Sequence, residues 1–136
     1  MRADRVYLLT DPPKSELRRY HEKVLARLAA AKVETLVRHC EIWDPNAVVG
    51  EIGRIAETER GNHVYVNLGT GPKTCAIAAT LAAMLWRLEA YYPKVDYGTS
   101  LVDGNVEDDH PVTAITGIPT FQLDAPNGDV LTVLEL

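Results

Sequence analysis

The order of apolar and polar positions predicts strands that alternate with helices. Short apolar runs typical of strands occur at residues 6–9, 35–42 and 63–68, with a fourth from residue 89 to 92 or slightly beyond. Apolar residues at helical spacing predict helices at residues 15–31, 45–60 and 74–87. Because each helix is long enough to cross from one strand to the next, this alternation favours a parallel sheet.

Turn and cap residues mark the boundaries of these elements. Asp44 followed by Pro45 is typical of a helix start, with the aspartate as the N-cap and the proline in the first turn. After the fourth strand comes a polar segment, residues 96–110. Glycines and prolines then separate three short apolar runs, at residues 113–115, 120–123 and 130–134. We therefore expect an irregular or β-rich carboxyl-terminal end.

The fold class predicted from this pattern is α/β, with a Rossmann-like, mainly parallel sheet flanked by helices. A chain of 136 residues fits one domain, and we assign residues 1–136 to it. It has 14 basic and 19 acidic side chains, a net charge of −5 that argues against direct binding of nucleic acid. The longest apolar run, residues 75–86, is too short to span a bilayer. We expect a cytoplasmic protein that does not bind a membrane.

The predicted helix at residues 74–87 is apolar on almost every side. A helix that covers a sheet needs only one apolar stripe, so a second face of this helix must also be buried. Two explanations remain open at this point. Other helices of the same domain cover that face, or the helix forms the interface of a homodimer, which its many alanines would favour.

Residues 67–74 form the segment that best fits a ligand site. They lie between the end of a strand and the start of a helix, where open α/β sheets bind ligands. Glycines allow a ligand close to the main chain, and free N–H groups at a helix start favour an anion such as phosphate. The candidate binding residues of this segment are Asn67, Gly69, Thr70, Gly71, Lys73 and Thr74. The spacing matches neither a Walker A loop nor the dinucleotide fingerprint, and a tight turn with an exposed lysine is the alternative.

Two more candidates, Thr10 and Asp11, end the first predicted strand at the same edge of the sheet. They either line the pocket or cap a turn. We expect no metal site, because the acidic cluster within residues 103–110 resembles a solvated turn. We expect no cofactor, no reactive thiol at Cys75 and no catalytic residue. Outside that cluster, we expect three histidines to be structural: His21, His39 and His63.

The loop YVNLGTGPK at residues 65–73 resembles an Asn-x-(Ser/Thr)-Gly-Gly-x-Lys-like loop. That loop is found in the CARF domain, the CRISPR-associated Rossmann fold. The segments ADRVYLLT at residues 3–10 and GIPTFQLDAP at residues 117–126 are similar to a CARF-like group of archaeal regulators, in which the domain precedes a winged helix-turn-helix. The resemblance implies a dimer packed partly through the helix after the loop. It also implies a nucleotide-type ligand across the two-fold axis, a cyclic oligoadenylate in many relatives.

Two departures from the family pattern change these expectations. The chain opens at what resembles the second strand of the family, so the first strand–helix unit is expected to be missing. That strand would lie between the strands at residues 6–9 and 63–68, which either pair directly or leave the site incomplete. No basic recognition helix follows the domain before Leu136, so we do not expect this chain to bind DNA.

The function expected from these observations is ligand sensing. A nucleotide or other phosphorylated small molecule would bind at residues 67–74, and a homodimer would carry the signal in transcription regulation or CRISPR-linked defence. Two alternatives stay open. One is a metal-independent ring nuclease that cleaves cyclic oligoadenylate, with Lys73 stabilising developing charge. The other is a degenerate dimerisation scaffold that binds no ligand.

Overall fold

The computed structural model describes residues 2–12, 15–96 and 111–123. In these residues the chain forms three helices and five strands, in an order that begins with strand, helix, strand. The elements are β1 (Arg5–Thr10), α1 (Ser15–Ala30), β2 (Glu34–His39), α2 (Pro45–Thr58), β3 (Tyr65–Asn67), α3 (Lys73–Trp86), β4 (Glu89–Val95) and β5 (Val112–Ile118). The predicted alternation of strands and helices is therefore confirmed.

The strands form two small sheets rather than one. Strands β1 and β2 pair in parallel, from Arg5 opposite Glu34 to Thr10 opposite His39. The second sheet has the order β3-β4-β5, in which β3 and β4 are parallel and β5 runs antiparallel to β4. The α/β class is thus confirmed, but the expectation of one mainly parallel sheet is not met among the described strands.

The strands on either side of the expected gap do not pair with each other. Strand β1 is hydrogen-bonded to β2, β3 is hydrogen-bonded to β4, and no ladder joins β1 to β3 in the described ranges. Of the two possibilities raised by the sequence, direct pairing of these strands is therefore wrong. Both strands nevertheless border the same core, which Leu9 of β1 and Val66 of β3 both contact.

The start of α2 matches its sequence signal. Asp44 has extended backbone angles, φ −92° and ψ 109°, and its side chain accepts a hydrogen bond from the Asn46 N–H at 2.9 Å. Pro45 occupies the first helical position, where its missing N–H costs no hydrogen bond. The predicted N-cap is therefore confirmed, and α2 ends at Thr58, two residues before the predicted end.

The core lies where α2 and α3 pack together. Val48 of α2 is fully buried, and the alanines of α3 supply much of the surface it meets. Gly53 of α2 lies against the indole of Trp86, so closely that a β-carbon at this position would be 2.4 Å from the ring. Small residues on both helices therefore allow a close approach, and the many alanines of α3 serve packing within the chain.

Two strand predictions differ from the structure. Strand β2 ends at His39 instead of residue 42, because the Asp44 N–H donates to the Glu41 carbonyl and closes a turn before α2. Residues 119–123, which include the predicted apolar run 120–123, form no strand. The Leu123 N–H donates instead to the Met84 carbonyl, at 3.4 Å. The predicted run at residues 130–134 and the acidic cluster at residues 103–110 lie outside the described residues.

A search of the described helices for a membrane span gave none with the necessary length and apolar character. The longest of them, α1, carries charged side chains along much of its length.

Candidate functional site

The side chain of Asn67 forms an Asx turn at the start of the loop after β3. The Asn67 Oδ1 accepts a hydrogen bond from the Gly69 N–H at 2.8 Å, so this side chain folds back onto its own loop. Between them Leu68 is buried, and its N–H donates to the Tyr91 carbonyl of β4 at 2.9 Å. Asn67 therefore builds the loop, and its side-chain oxygen is already engaged.

Gly69 is required by its neighbour in β4. A β-carbon at Gly69 would lie 2.5 Å from Cγ and 2.6 Å from Cδ of Pro93, distances that real β-carbons do not reach. The backbone of Gly69 therefore rests directly on the proline ring. This contact explains the first glycine of the loop by packing, since its φ is not in the left-handed region.

The second glycine has a conformational role. Gly71 has φ +86°, a left-handed value that favours glycine, and the chain turns there into α3. Pro72 is the N-cap of α3 and offers no side-chain hydrogen bond to the helix start. The first backbone bond across the turn runs from the Ala76 N–H to the Pro72 carbonyl, at 3.2 Å.

The start of α3 presents main-chain donors. The first N–H groups of any helix have no partner within the helix, and among the described residues the N-cap, Pro72, has no side chain that accepts from them. The helix dipole adds partial positive charge at this end. The side chains of Thr70, Lys73 and Thr74 are exposed around it, so hydroxyl and ammonium groups accompany the free amides.

Thr10 and Asp11 take part in a turn and also approach the loop. The Thr10 hydroxyl donates to the Asp11 carbonyl at 2.9 Å, and Asp11 Oδ1 accepts from the Ile42 N–H at 3.1 Å. After burial, the negative charge of Asp11 contributes to raising the pKa of the Cys75 thiol in the first turn of α3. Leu9 of β1 and Cys75 of α3 also pack against the same core. Strands β1 and β3 belong to separate sheets among the described residues, so the shared sheet edge that the sequence predicts is not shown.

Cys40, which follows β2, is hydrogen-bonded to the end of β1. Its N–H donates to the Thr10 carbonyl at 3.1 Å. Burial raises the pKa of the Cys40 thiol, followed by the electrostatic influence of Cys75, Glu51 and Asp11. Both thiols are therefore held in the protonated form, which is the poorly nucleophilic one.

The groups of the candidate site carry both signs of charge. The start of α3 and Lys73 favour an anion, whereas the carboxylate of Asp11 repels one and accepts donors instead. One oxygen of Asp11 accepts from the Ile42 N–H, and the second oxygen of a carboxylate can also accept a hydrogen bond. The loop therefore offers groups that favour an anion, while Asp11 offers an acceptor.

The predicted ligand residues do not line the groove found in the described residues. A groove of about 560 Å³ lies elsewhere, between α2, Arg38 of β2 and Trp86, and none of the predicted ligand residues lines it. No group of three or more metal-ligating side chains is found in the parts of the chain that the structure describes. His21 lies on α1, His39 ends β2 and His63 precedes β3, and none belongs to the loop.

One residue of the site, Pro93, escaped the sequence analysis. It lies within β4, 24 positions after Gly69, and is half-buried beneath the loop. A proline within a strand marks a place where hydrogen bonding to a neighbour stops, and this is the signal that could have pointed to it. That signal does not say which neighbour is affected, so the contact with Gly69 becomes visible only in the fold.

We compared the chain with known proteins and protein families. No curated protein matches the chain significantly. A family described as "HFX_2341_N:-like, N-terminal" matches residues 1–97, a stretch that runs from β1 to the end of β4 and includes the whole loop. With well over half of the sequence matched, the chain belongs to this family of N-terminal domains.

Proposed function

We propose that this chain is a ligand-sensing regulatory domain of the CARF-like, Rossmann-like type. It binds a nucleotide or another phosphorylated small molecule at residues 67–74 and signals through a homodimer. The observation that carries the proposal is the uncapped start of α3, which follows a left-handed glycine and is flanked by exposed Lys73 and Thr74. Such a helix start offers free N–H groups and positive potential to an anion.

The position of Asp11 narrows the class of ligand. A free inorganic anion gains nothing from a carboxylate nearby, whereas a nucleotide carries hydroxyl and amino donors beside its phosphate. The phosphate would accept from the amides at the start of α3, and a hydroxyl or amino group would donate to Asp11. Ligands with both groups, including cyclic oligoadenylates, are therefore favoured over phosphate alone.

The outer face of α3 supports the dimer. Ala78 and Ala82 are buried within the chain, but Ile77 is 62% exposed and Leu81, one turn later, is 45% exposed. Residues four apart lie on the same face of a helix, so these two side chains form an apolar stripe next to the site. A second copy packed on this stripe would bury it and bring two loops close together.

Ligand-induced stabilisation tests the proposal. The panel is cyclic oligoadenylates, cyclic dinucleotides, ATP and phosphate, with thermal unfolding as the readout and mass spectrometry of the recovered ligand to detect cleavage. A ligand at one hundred times its Kd stabilises the folded state by about 2.7 kcal/mol. We expect a selective shift with a nucleotide, and Lys73→Ala to weaken its binding about tenfold, or about 1.4 kcal/mol.

The matched control is Lys23→Ala, which removes the same charge from the exposed face of α1. It should leave the ligand-induced shift unchanged. If the folded protein shows no thermal shift with any member of the panel, ligand sensing is contradicted. A dimerisation scaffold that binds no ligand is then the remaining function. Recovery of a linear product would assign the ring nuclease function instead.

A further inference from the structure

We propose that Pro93 is a positioning residue for the loop at residues 67–74. It acts through Gly69, and its contact with that residue sets the path of the chain from β3 into α3. The inference rests on the proposed function only for its binding measurement. Its structural part concerns the loop alone.

The first step of the argument is where the parallel ladder ends. Pairing of β3 with β4 stops at Asn67 opposite Tyr91, and the last bond on that side runs from the Leu68 N–H to the Tyr91 carbonyl. A continued parallel ladder would next use an N–H two residues further along β4. That residue is Pro93, which has no N–H to donate. The proline therefore ends the pairing at the point where the loop must leave the sheet.

The second step is steric. The ring of Pro93 lies directly beneath Gly69, since Cγ and Cδ are 2.5 and 2.6 Å from where a β-carbon would be. A side chain on residue 69 would lift the loop from β4. The third close atom, Asn67 Oδ1 at 3.2 Å, belongs to the turn itself. One ring thus prevents further pairing and also supports the backbone that turns away.

The third step links this contact to the start of α3. Gly69 donates to Asn67 and is followed closely by Gly71, whose left-handed φ turns the chain into the helix. Only Thr70 separates the two glycines, so a displacement at Gly69 is passed to Gly71 and to the first amides of α3. The direction of those amides therefore depends on a residue of another strand.

A double-mutant cycle tests this inference. Gly69→Ala should change the amide chemical shifts of Gly71 and Lys73 and weaken binding of inorganic pyrophosphate about tenfold. Pro93→Ala should also shift these amides, because the support and the block on pairing are both lost. In the double variant the new methyl group occupies the space left by the ring, so the steric overlap is relieved although residue 93 still has an N–H. The amide shifts should therefore lie closer to those of the wild type than in Gly69→Ala, and most of the lost affinity should be recovered.

The control is Gly117→Ala, since nothing lies within 4 Å of a β-carbon at Gly117 and its φ is not left-handed. It should leave the loop amides unchanged. The inference is overturned if the double variant is no better than Gly69→Ala, or if Pro93→Ala leaves the loop amides in place. If the wild type binds no pyrophosphate, anion binding at this loop fails separately, and the amide shifts still judge the role of Pro93. If Gly69→Ala does not fold, recovery of folding in the double variant supports the inference. If the double variant does not fold either, the loop amide shifts of Pro93→Ala decide the outcome.

Discussion

Glu59 joins the end of α2 to β1 through hydrogen bonds to three different side chains. Its Oε1 accepts from the Tyr7 hydroxyl and from Arg5 Nη1, both at 2.6 Å, and its Oε2 accepts from Asn62 Nδ2 at 2.7 Å. These hydrogen bonds lower the pKa of Glu59 from its ordinary 4.5 to about 2, with the bond from Tyr7 as the largest cause. The side chain is only 10% exposed, so the bonds compensate for lost hydration.

Glu59→Gln should lower the free energy of unfolding at neutral pH by about 1–3 kcal/mol, because charge-assisted bonds are replaced by weaker ones. The carboxylate of the wild type contributes its full stabilisation above pH 4.5 and loses it as the pH falls towards 2. The difference between the two proteins should therefore shrink over that interval. Urea unfolding at a series of pH values measures it.

A suitable comparison is Glu57→Gln, which removes an exposed carboxylate whose partner is Arg60, in the turn after α2. Surface pairs of this kind contribute little, so its unfolding midpoint should stay near that of the wild type. A Glu59→Gln deficit that stays constant from pH 7 to pH 2.5 would contradict the assigned role of the charge.

The roles of individual residues, in the site and outside it, were partly predictable from the sequence. Gly71 and the start of α3 follow from local rules about glycine and helix termini, and Asp44 follows from the capping preference of aspartate. Pro93 and Glu59 do not, because each acts on residues far away in sequence. Glu59 bonds Tyr7 across 52 positions, and no local pattern reports a partner at that distance.

At the level of elements, the packing of α2 against α3 depends on Gly53. Gly53→Ala should lower the free energy of unfolding by about 1–3 kcal/mol, because the new methyl group would overlap the ring of Trp86 at 2.4 Å. The intrinsic helix preference of alanine over glycine, about 1 kcal/mol, offsets only part of this cost. Thermal or urea unfolding gives the change.

Gly50 provides the matched substitution one turn earlier in the same helix. The nearest atoms to a β-carbon there are the guanidinium nitrogens of Arg54, 3.9 Å away at the end of a flexible side chain. Gly50→Ala should therefore stabilise α2, by up to about 1 kcal/mol. If both alanine variants are stabilised, the Gly53–Trp86 contact is not a constraint on the packing of these helices.

The elements themselves were more predictable than their assembly. Hydrophobic periodicity and cap residues located every described helix and strand to within a few positions, because these signals are local. Sheet pairing is not local. The sequence therefore predicted one mainly parallel sheet, while the described strands form a parallel pair and a separate mixed sheet.

At the level of the whole molecule, the exposed stripe of α3 predicts a dimer. Ile77→Glu places a charge in the centre of that stripe, so it should convert a dimer to a monomer without unfolding the chain. Light scattering coupled to size exclusion measures the mass, and circular dichroism checks the fold. Tyr20→Glu on α1, where the tyrosine is 48% exposed, should leave the mass unchanged.

The two outcomes of this measurement have different meanings. A wild-type protein that is monomeric at every concentration would contradict the dimer, and the apolar stripe would then need another partner. A mass reduced by Tyr20→Glu and not by Ile77→Glu would move the interface from α3 to α1.

The separation of β1–β2 from β3–β4–β5 gives the molecule a mechanical property. Asp11 follows the first sheet and the loop at residues 67–74 follows the second, and no described ladder bond ties one sheet to the other. The relative angle of the two sheets is therefore set by the packing of the core that both contact, and not by strand pairing between the described strands. A molecule held by Asp11 on one side and by the start of α3 on the other would add a second constraint on that angle. Since the exposed stripe lies on α3, a change in the angle would also move the surface on which a partner packs.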